Sequence, residues 1–222
     1  MQGFATSEGS PALWRARPMS MILYHTPASP FGRKVVVMLH ETDLIEQVEV
    51  EIVQQTPLNP NRDVLDTNPA GKIPALRLAD GTCLHDSRVI LDYLDTLHER
   101  TPLIPRQGPE RWRRLTLASL CDAMMEAAVQ IRYESFMRPP GMQWKLWLDN
   151  QQEKIARALD YFEREAIQEL DGEFDVASLG MACLLGYLDF RIPTFAWRSD
   201  CPRIAAWYAR TDERPSLQAT RP

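Results

Sequence analysis

The chain has 222 residues, of which 45% are hydrophobic and 25% charged, with a formal net charge of −5. That is enough for one large domain or two modest ones, each with its own core, in an ordinary globular composition. The acidic balance argues against a nucleic-acid or anionic-membrane partner, and the lack of any apolar run of about 18 residues argues against a bilayer span.

Residues 1–20 mix Gly, Ser, Pro and isolated apolar residues without a period and read as a disordered extension. Met21–Tyr24 is a short apolar strand, and Pro30–Glu41 is predicted as a helix with Phe31, Val35, Met38 and Leu39 on one face. Residues 47–52 alternate like a strand, and the polar, proline-rich stretch 56–68 reads as a loop with a short helix. Asp80-Gly81 is a hairpin turn between strands 73–78 and 82–84. Asp86 then caps a helix whose apolar face is Val89, Ile90, Tyr93, Leu94 and Leu97. This βαβ–ββα order implies an α/β domain over residues 21–98, a mixed four-stranded sheet with helices packed on it.

Residues 99–109 form a linker, after which strand signals stop. A helix over 110–137 carries Ala118, Cys121, Met125 and Ala128 at helical spacing and is broken by Arg138-Pro-Pro-Gly141. Residues 144–170 resume with Ile155, Leu159, Phe162 and Ala166 on one stripe. Leu179–Leu188 is uncharged and apolar all round, the pattern of a buried central helix, with Asp175 and Ser178 as its reciprocal cap. Pro202 opens a last short helix; Met124, Met125, Trp144 and Trp147 read as packing residues. The whole of 110–213 is an all-α domain, and 214–222 is expected to be a loose tail. Cys83, Cys121, Cys183 and Cys201 form no Cys-x-x-Cys and no metal spacing, so they read as reduced thiols of a cytoplasmic protein that binds no metal through them.

The stretch Asn68–Leu76 followed by Asp86-Ser87 is the most informative. Pro69 and Gly71 force a tight loop, Ile73-Pro74 is a candidate cis bond opening a strand, and Asp86 starts a helix. Together they present backbone groups and an anion site to a small extended peptide.

With Ser29-Pro-Phe-Gly-Arg-Lys-Val35 and the central helix Phe174–Arg191, these residues make the chain similar to the soluble glutathione transferases over residues 21–210. Among bacterial members it resembles the serine-type, YibF-like proteins, whose central helix also reads Gly-Tyr-Leu-x-Phe-Arg. The resemblance implies a thioredoxin-like N-terminal domain that holds glutathione and an all-helical C-terminal bundle domain that supplies most of the electrophile pocket. It implies a cytoplasmic homodimer in which glutathione is co-substrate, its thiolate attacks a small hydrophobic electrophile, and no prosthetic group takes part. The same fold also serves glutathione-dependent peroxidases and non-catalytic glutathione-binding or protein-interaction modules.

Each site residue has two readings. From the residues alone, Ser29 before Pro30 is a helix N-cap; by resemblance its hydroxyl donates to the glutathione sulfur. Tyr24 is the alternative donor, or a core ring; His25 and Thr26 read as loop residues. Lys72 is a solvated loop lysine or, by resemblance, faces the glycyl carboxylate, while Ile73 pairs main-chain groups with the cysteinyl backbone. Asp86 and Ser87 are a cap and a first-turn residue; by resemblance Ser87 holds the γ-glutamyl carboxylate and Asp86 draws in the α-ammonium. Arg132, Tyr133 and Phe136 are candidates for the electrophile wall or for surface packing. The Ser-Ser-Cys signature of zeta-type members is absent, and no cysteine precedes Cys83, which argues against thiol–disulfide chemistry.

Overall fold

The computed structural model describes residues 21–222, so the expected disordered extension lies outside the described residues. Strand β1 (Met21–His25) leads into helix α1 (Pro30–Glu41), strand β2 (Val48–Ile52), helix α2 (Arg62–Thr67), strands β3 (Ala75–Arg77) and β4 (Cys83–Leu84), and helix α3 (Ser87–Leu94). The sheet order is β2-β1-β3-β4, with β1 parallel to β2 and antiparallel to β3, and β3 antiparallel to β4. This is the mixed four-stranded sheet of a thioredoxin-like domain.

The register places the site. Tyr24 pairs with Ala75 and Leu76 pairs with Leu84, so the end of β1, the start of β3 and the end of β4 share one end of the sheet. Three loops leave or arrive there: the turn into α1, the Ile73-Pro74 segment, and the connection into α3. The Ile73-Pro74 bond is cis, and so is His85-Asp86.

The second domain is helical: α4 (Gly108–Phe136), α5 (Lys145–Tyr161), α6 (Val176–Arg191), α7 (Trp197–Asp200), α8 (Pro202–Thr211) and α9 (Pro215–Ala219). After α5 the chain continues through a π turn over Phe162–Ala166. None of the described helices is long and apolar enough to cross a membrane. The core runs without a break from Leu23, Val35, Leu39 and Leu76 of the sheet domain to Cys121, Met125, Phe162 and Leu184 of the helical one. Between the domains the chain is pinned by buried Asp95, whose carboxylate accepts from the amides of Leu103 (2.8 Å) and Ile104 (3.0 Å).

Four expectations need correction. The tail is docked, not loose: α9 lies against α1, with Ser216 and Leu217 buried, because buried Arg33 and half-buried Glu41 both reach it. The apolar face of α3 is Ile90, Leu91 and Leu94 with Tyr93 at its margin, while Val89 and Leu97 are exposed. Trp144 and Trp147 stack on each other at 6.5 Å on the surface, with Trp144 62% exposed, instead of packing in a core. The cap of α6 is one-sided: Asp175 accepts from the amides of Ala177 and Ser178, but the Ser178 hydroxyl turns to the Leu170 carbonyl.

Candidate functional site

Ser29 sits where a turn ends and a helix begins. Its amide donates to the Thr26 carbonyl at 2.9 Å, its backbone is extended, and its Oγ accepts from the Gly32 amide at 3.2 Å. Pro30 at the first helical position has no amide to satisfy. A hydroxyl that already accepts from Gly32 keeps its own proton free to donate.

The turn is tight because Gly32 has no side chain. A Cβ there would stand 3.0 Å from both Cβ and Nδ1 of His25, which is buried beneath the helix start. His25 Nδ1 has no hydrogen-bond partner among the described residues, and burial lowers the imidazole pKa, keeping the ring neutral. His25 is therefore the floor of the helix start and not a loop residue.

Tyr24 faces the other way. Successive strand residues alternate faces, and Leu23 joins the main core under α1 while Tyr24 packs with Val53 and Val64 in a separate cluster. The ring is 2% exposed, and burial raises its hydroxyl pKa.

The hairpin segment is organised by Asn68. Its side chain donates to the Lys72 carbonyl at 2.8 Å and accepts from the Ala70 amide at 3.0 Å, while Gly71 takes a φ of +61° that favours glycine. Lys72 is exposed, and Ile73 is half-buried against the Tyr24 cluster. Neither backbone group of Ile73 has a hydrogen-bond partner among the described residues, which leaves an edge able to pair with an extended ligand.

At α3, Asp86 is the N-cap and accepts from the Arg88 amide at 2.9 Å. The Arg88 guanidinium grips the same carboxylate at 2.6 Å and, with the lesser help of Lys34, holds its pKa below the ordinary range. Ser87 is 2% exposed, and its hydroxyl has no protein partner among the described residues. Arg88 carries no sequence signal, yet any ammonium drawn to Asp86 must share the carboxylate with it.

Across from Ser29 stands α6. A narrow seam, too tight in this conformation to hold a water molecule, is lined by Pro27, Ala28, Ser29 and Arg33 together with Cys183, Tyr187 and Pro222. Cys183 is fully buried, and burial pushes its thiol up to about 11, so it is no thiolate at neutral pH. Tyr187 was hidden in the sequence by the aperiodic apolar run around it. Of the expected wall residues, Arg132 is half-buried and lies 3.6 Å over the ring of Phe136, whereas Phe136 and Tyr133 are exposed.

Comparison with known proteins identifies both domains. Residues 23–102 match the model of the glutathione S-transferase N-terminal domain, and residues 146–210 match that of the C-terminal domain. The uncharacterized GST-like protein YibF of Escherichia coli K12 is 31% identical, covering 91% of this chain and 98% of YibF. A glutathione transferase family member from Pseudomonas fluorescens Pf-5, solved with bound glutathione, is 54% identical over 91% of this chain and 99% of its own, with a TM-score of 0.90. The Pf-5 protein solved with S-(propanoic acid)-glutathione superposes with a TM-score of 0.86 at 54% identity, covering 91% of this chain and all of that one. On two matched domains and near-full-length similarity, the chain belongs to the glutathione S-transferase family.

Proposed function

We propose that this protein is a glutathione transferase in which Ser29 stabilises the glutathione thiolate for attack on a small hydrophobic electrophile. The observation that carries this is the Ser29 hydroxyl, held by the Gly32 amide at the N-terminus of α1 with its proton free, at the same end of the sheet as Ile73 and Ser87. The ligands of the Pf-5 relative, glutathione and its propanoic acid conjugate, support a site of the same chemistry here.

A free thiol with a pKa of about 8.5 is only a few per cent ionised at neutral pH. Lowering it by about two units requires ~2.7 kcal/mol of preferential interaction with the thiolate. One charge-assisted hydrogen bond from Ser29 plus the helix N-terminus supplies energy of that order. Ile73 pairs with the cysteinyl backbone, Lys72 attracts the glycyl carboxylate, Ser87 holds the γ-glutamyl carboxylate at the start of α3, and Asp86 receives the ammonium beside Arg88. The electrophile enters along Tyr187, and the sulfur forms its new bond by substitution or conjugate addition. The reading includes a homodimer in the cytoplasm.

The test is glutathione binding by calorimetry, with thiolate absorbance followed against pH. The bound thiol pKa is expected well below 8.5 in the wild type and about one to two units higher in Ser29→Ala, with Tyr24→Phe unchanged. An unshifted pKa in Ser29→Ala would remove Ser29 from the mechanism.

A further inference from the structure

We propose that Arg132 and Arg191 form an anion subsite beside the Tyr187 wall, so that the electrophile is a small apolar skeleton ending in a carboxylate, such as an α,β-unsaturated acid. This rests on the transferase reading above and narrows its substrate class.

Tyr187 and Arg191 are four apart on α6 and so lie on one face, and Tyr187 lines the seam that holds Ser29. Arg132 comes to the same corner from the last turns of α4, the helix packed along α6. Each residue is half-buried with its guanidinium carbon over an aromatic ring, Arg132 over Phe136 at 3.6 Å and Arg191 over Phe190 at 4.0 Å. A guanidinium held over a ring face keeps its N–H donors available to an acceptor.

What sets the two apart is the missing counter-charge. Elsewhere in the helical domain Arg113, Arg114, Arg198 and Arg214 each grip a carboxylate. Arg132 and Arg191 make no ion pair and no hydrogen bond among the described residues. Burial and the neighbouring Arg191 pull the Arg132 guanidinium below its ordinary pKa, and only Tyr187 works the other way. The Tyr187 hydroxyl also lacks a protein partner among the described residues, and burial pushes it up to about 12, so it remains a donor. Two like charges and a phenol converge with no acceptor, and a carboxylate satisfies all three.

The chemistry follows from conjugate addition. The thiolate forms a C–S bond at the β-carbon, the C=C π pair moves toward the carboxylate as an enediolate, and a solvent proton completes the α-carbon. Charge on the carboxylate oxygens rises from one toward two as the transition state leads to the enediolate, so the arginines bind the transition state more tightly than the ground state.

The experiment compares two isosteric conjugates by calorimetry, S-(2-carboxyethyl)glutathione and its amide S-(2-carbamoylethyl)glutathione, with glutathione alone as reference. The wild type is expected to prefer the acid by about tenfold or more, the yield of a charged hydrogen bond. Arg132→Gln with Arg191→Gln should bring the acid-to-amide ratio near one, and each single variant should lower it; Arg132→Lys with Arg191→Lys should keep part of it. Because both ligands meet the same protein, losses of fold cancel in the ratio. Equal affinity of acid and amide in the wild type, or a ratio that survives the double Gln variant, overturns the anion subsite while glutathione still binds. Failure of glutathione itself to bind overturns the transferase reading instead.

Discussion

Of the ion pairs that join the two domains, one is almost wholly buried, and removing half of it should be costly. Lys34 on α1 reaches Asp122 on α4, and their side chains are only 3% and 5% exposed. Asp122→Ala leaves the Lys34 ammonium buried with the Phe31 ring 5.7 Å away as its residual company. Taking away one member of a buried pair costs about 3–5 kcal/mol, because the other charge has lost its partner and cannot reach water. With a urea slope of about 2–3 kcal/mol/M, the unfolding midpoint should fall by ~1–2 M. Replacing both members, Lys34→Met with Asp122→Leu, should return the midpoint to near that of the wild type, since an apolar pair of similar volume removes two desolvation costs at once. Urea unfolding followed by tryptophan fluorescence and circular dichroism reads both variants. A midpoint lowered by less than about 0.3 M in Asp122→Ala, or a double variant as weak as the single, would refute the assignment of a buried interdomain pair.

Gly186 should be equally intolerant: an alanine Cβ would stand 2.3 Å from Nη1 of Arg33, whose other nitrogens hold the Leu217 carbonyl and the Thr220 hydroxyl. Gly186→Ala is expected to cost about 1–3 kcal/mol and to speed amide exchange over residues 215–220; unchanged exchange there would refute the link. Glu41 gives a pH test. Burial raises its pKa, but hydrogen bonds from Arg214 and Ser216 outweigh this and hold it below the ordinary value. A lowered folded pKa means stability present above the unfolded value and lost as pH falls through the folded one. The stability gap between wild type and Glu41→Gln should therefore be full at pH 7 and close below about pH 4, by urea titration; a gap independent of pH would refute it. Sedimentation should give twice the mass of the chain, and a particle of single-chain mass at micromolar concentration would refute the homodimer.

Where the chain was legible, the signals were local. Ser29-Pro30, Asp80-Gly81 and the Asp86 cap act within four residues, and each marks an element boundary in the structure within a residue or two. Ser29, Asp86 and Ser87, the residues proposed to meet glutathione at helix starts, lie on two of those boundaries, whereas Lys72 and Ile73 were named from the resemblance of the Asn68–Leu76 stretch. The missed features depend on distance along the chain. Nothing near Lys34 in the sequence points to Asp122, 88 positions on, which the fold brings beside it. The segment 214–222 has little apolar content of its own and is held by Arg33 and Glu41, more than 170 positions earlier. Tyr187 and Arg191 sit at the end of a helix apolar all round, where no period marks a face.

The long-range contacts meet at α1, and that makes its polar residues intelligible. Its first turn carries Ser29, proposed to meet the ligand, and a bare Gly32 over His25. The next residues, Arg33 and Lys34, point away from the sheet, into α6 and α9 and into α4. An apolar pair there would bury as much surface but would fix no single orientation, because hydrophobic contact is non-directional. Hydrogen bonds from one guanidinium and one ammonium do fix it, to within a few tenths of an ångström. Ser29, the proposed thiol donor at the start of α1, and Tyr187, the proposed wall on α6, belong to different domains, yet a displacement of about 1 Å between reacting groups is enough to lose most of the rate. If Ser29 and Tyr187 act as proposed, the buried charges of α1 set the spacing across which the sulfur meets its electrophile, and the variants of Lys34, Asp122 and Gly186 should lower turnover more than glutathione affinity, which the proposed site draws from residues of the sheet domain.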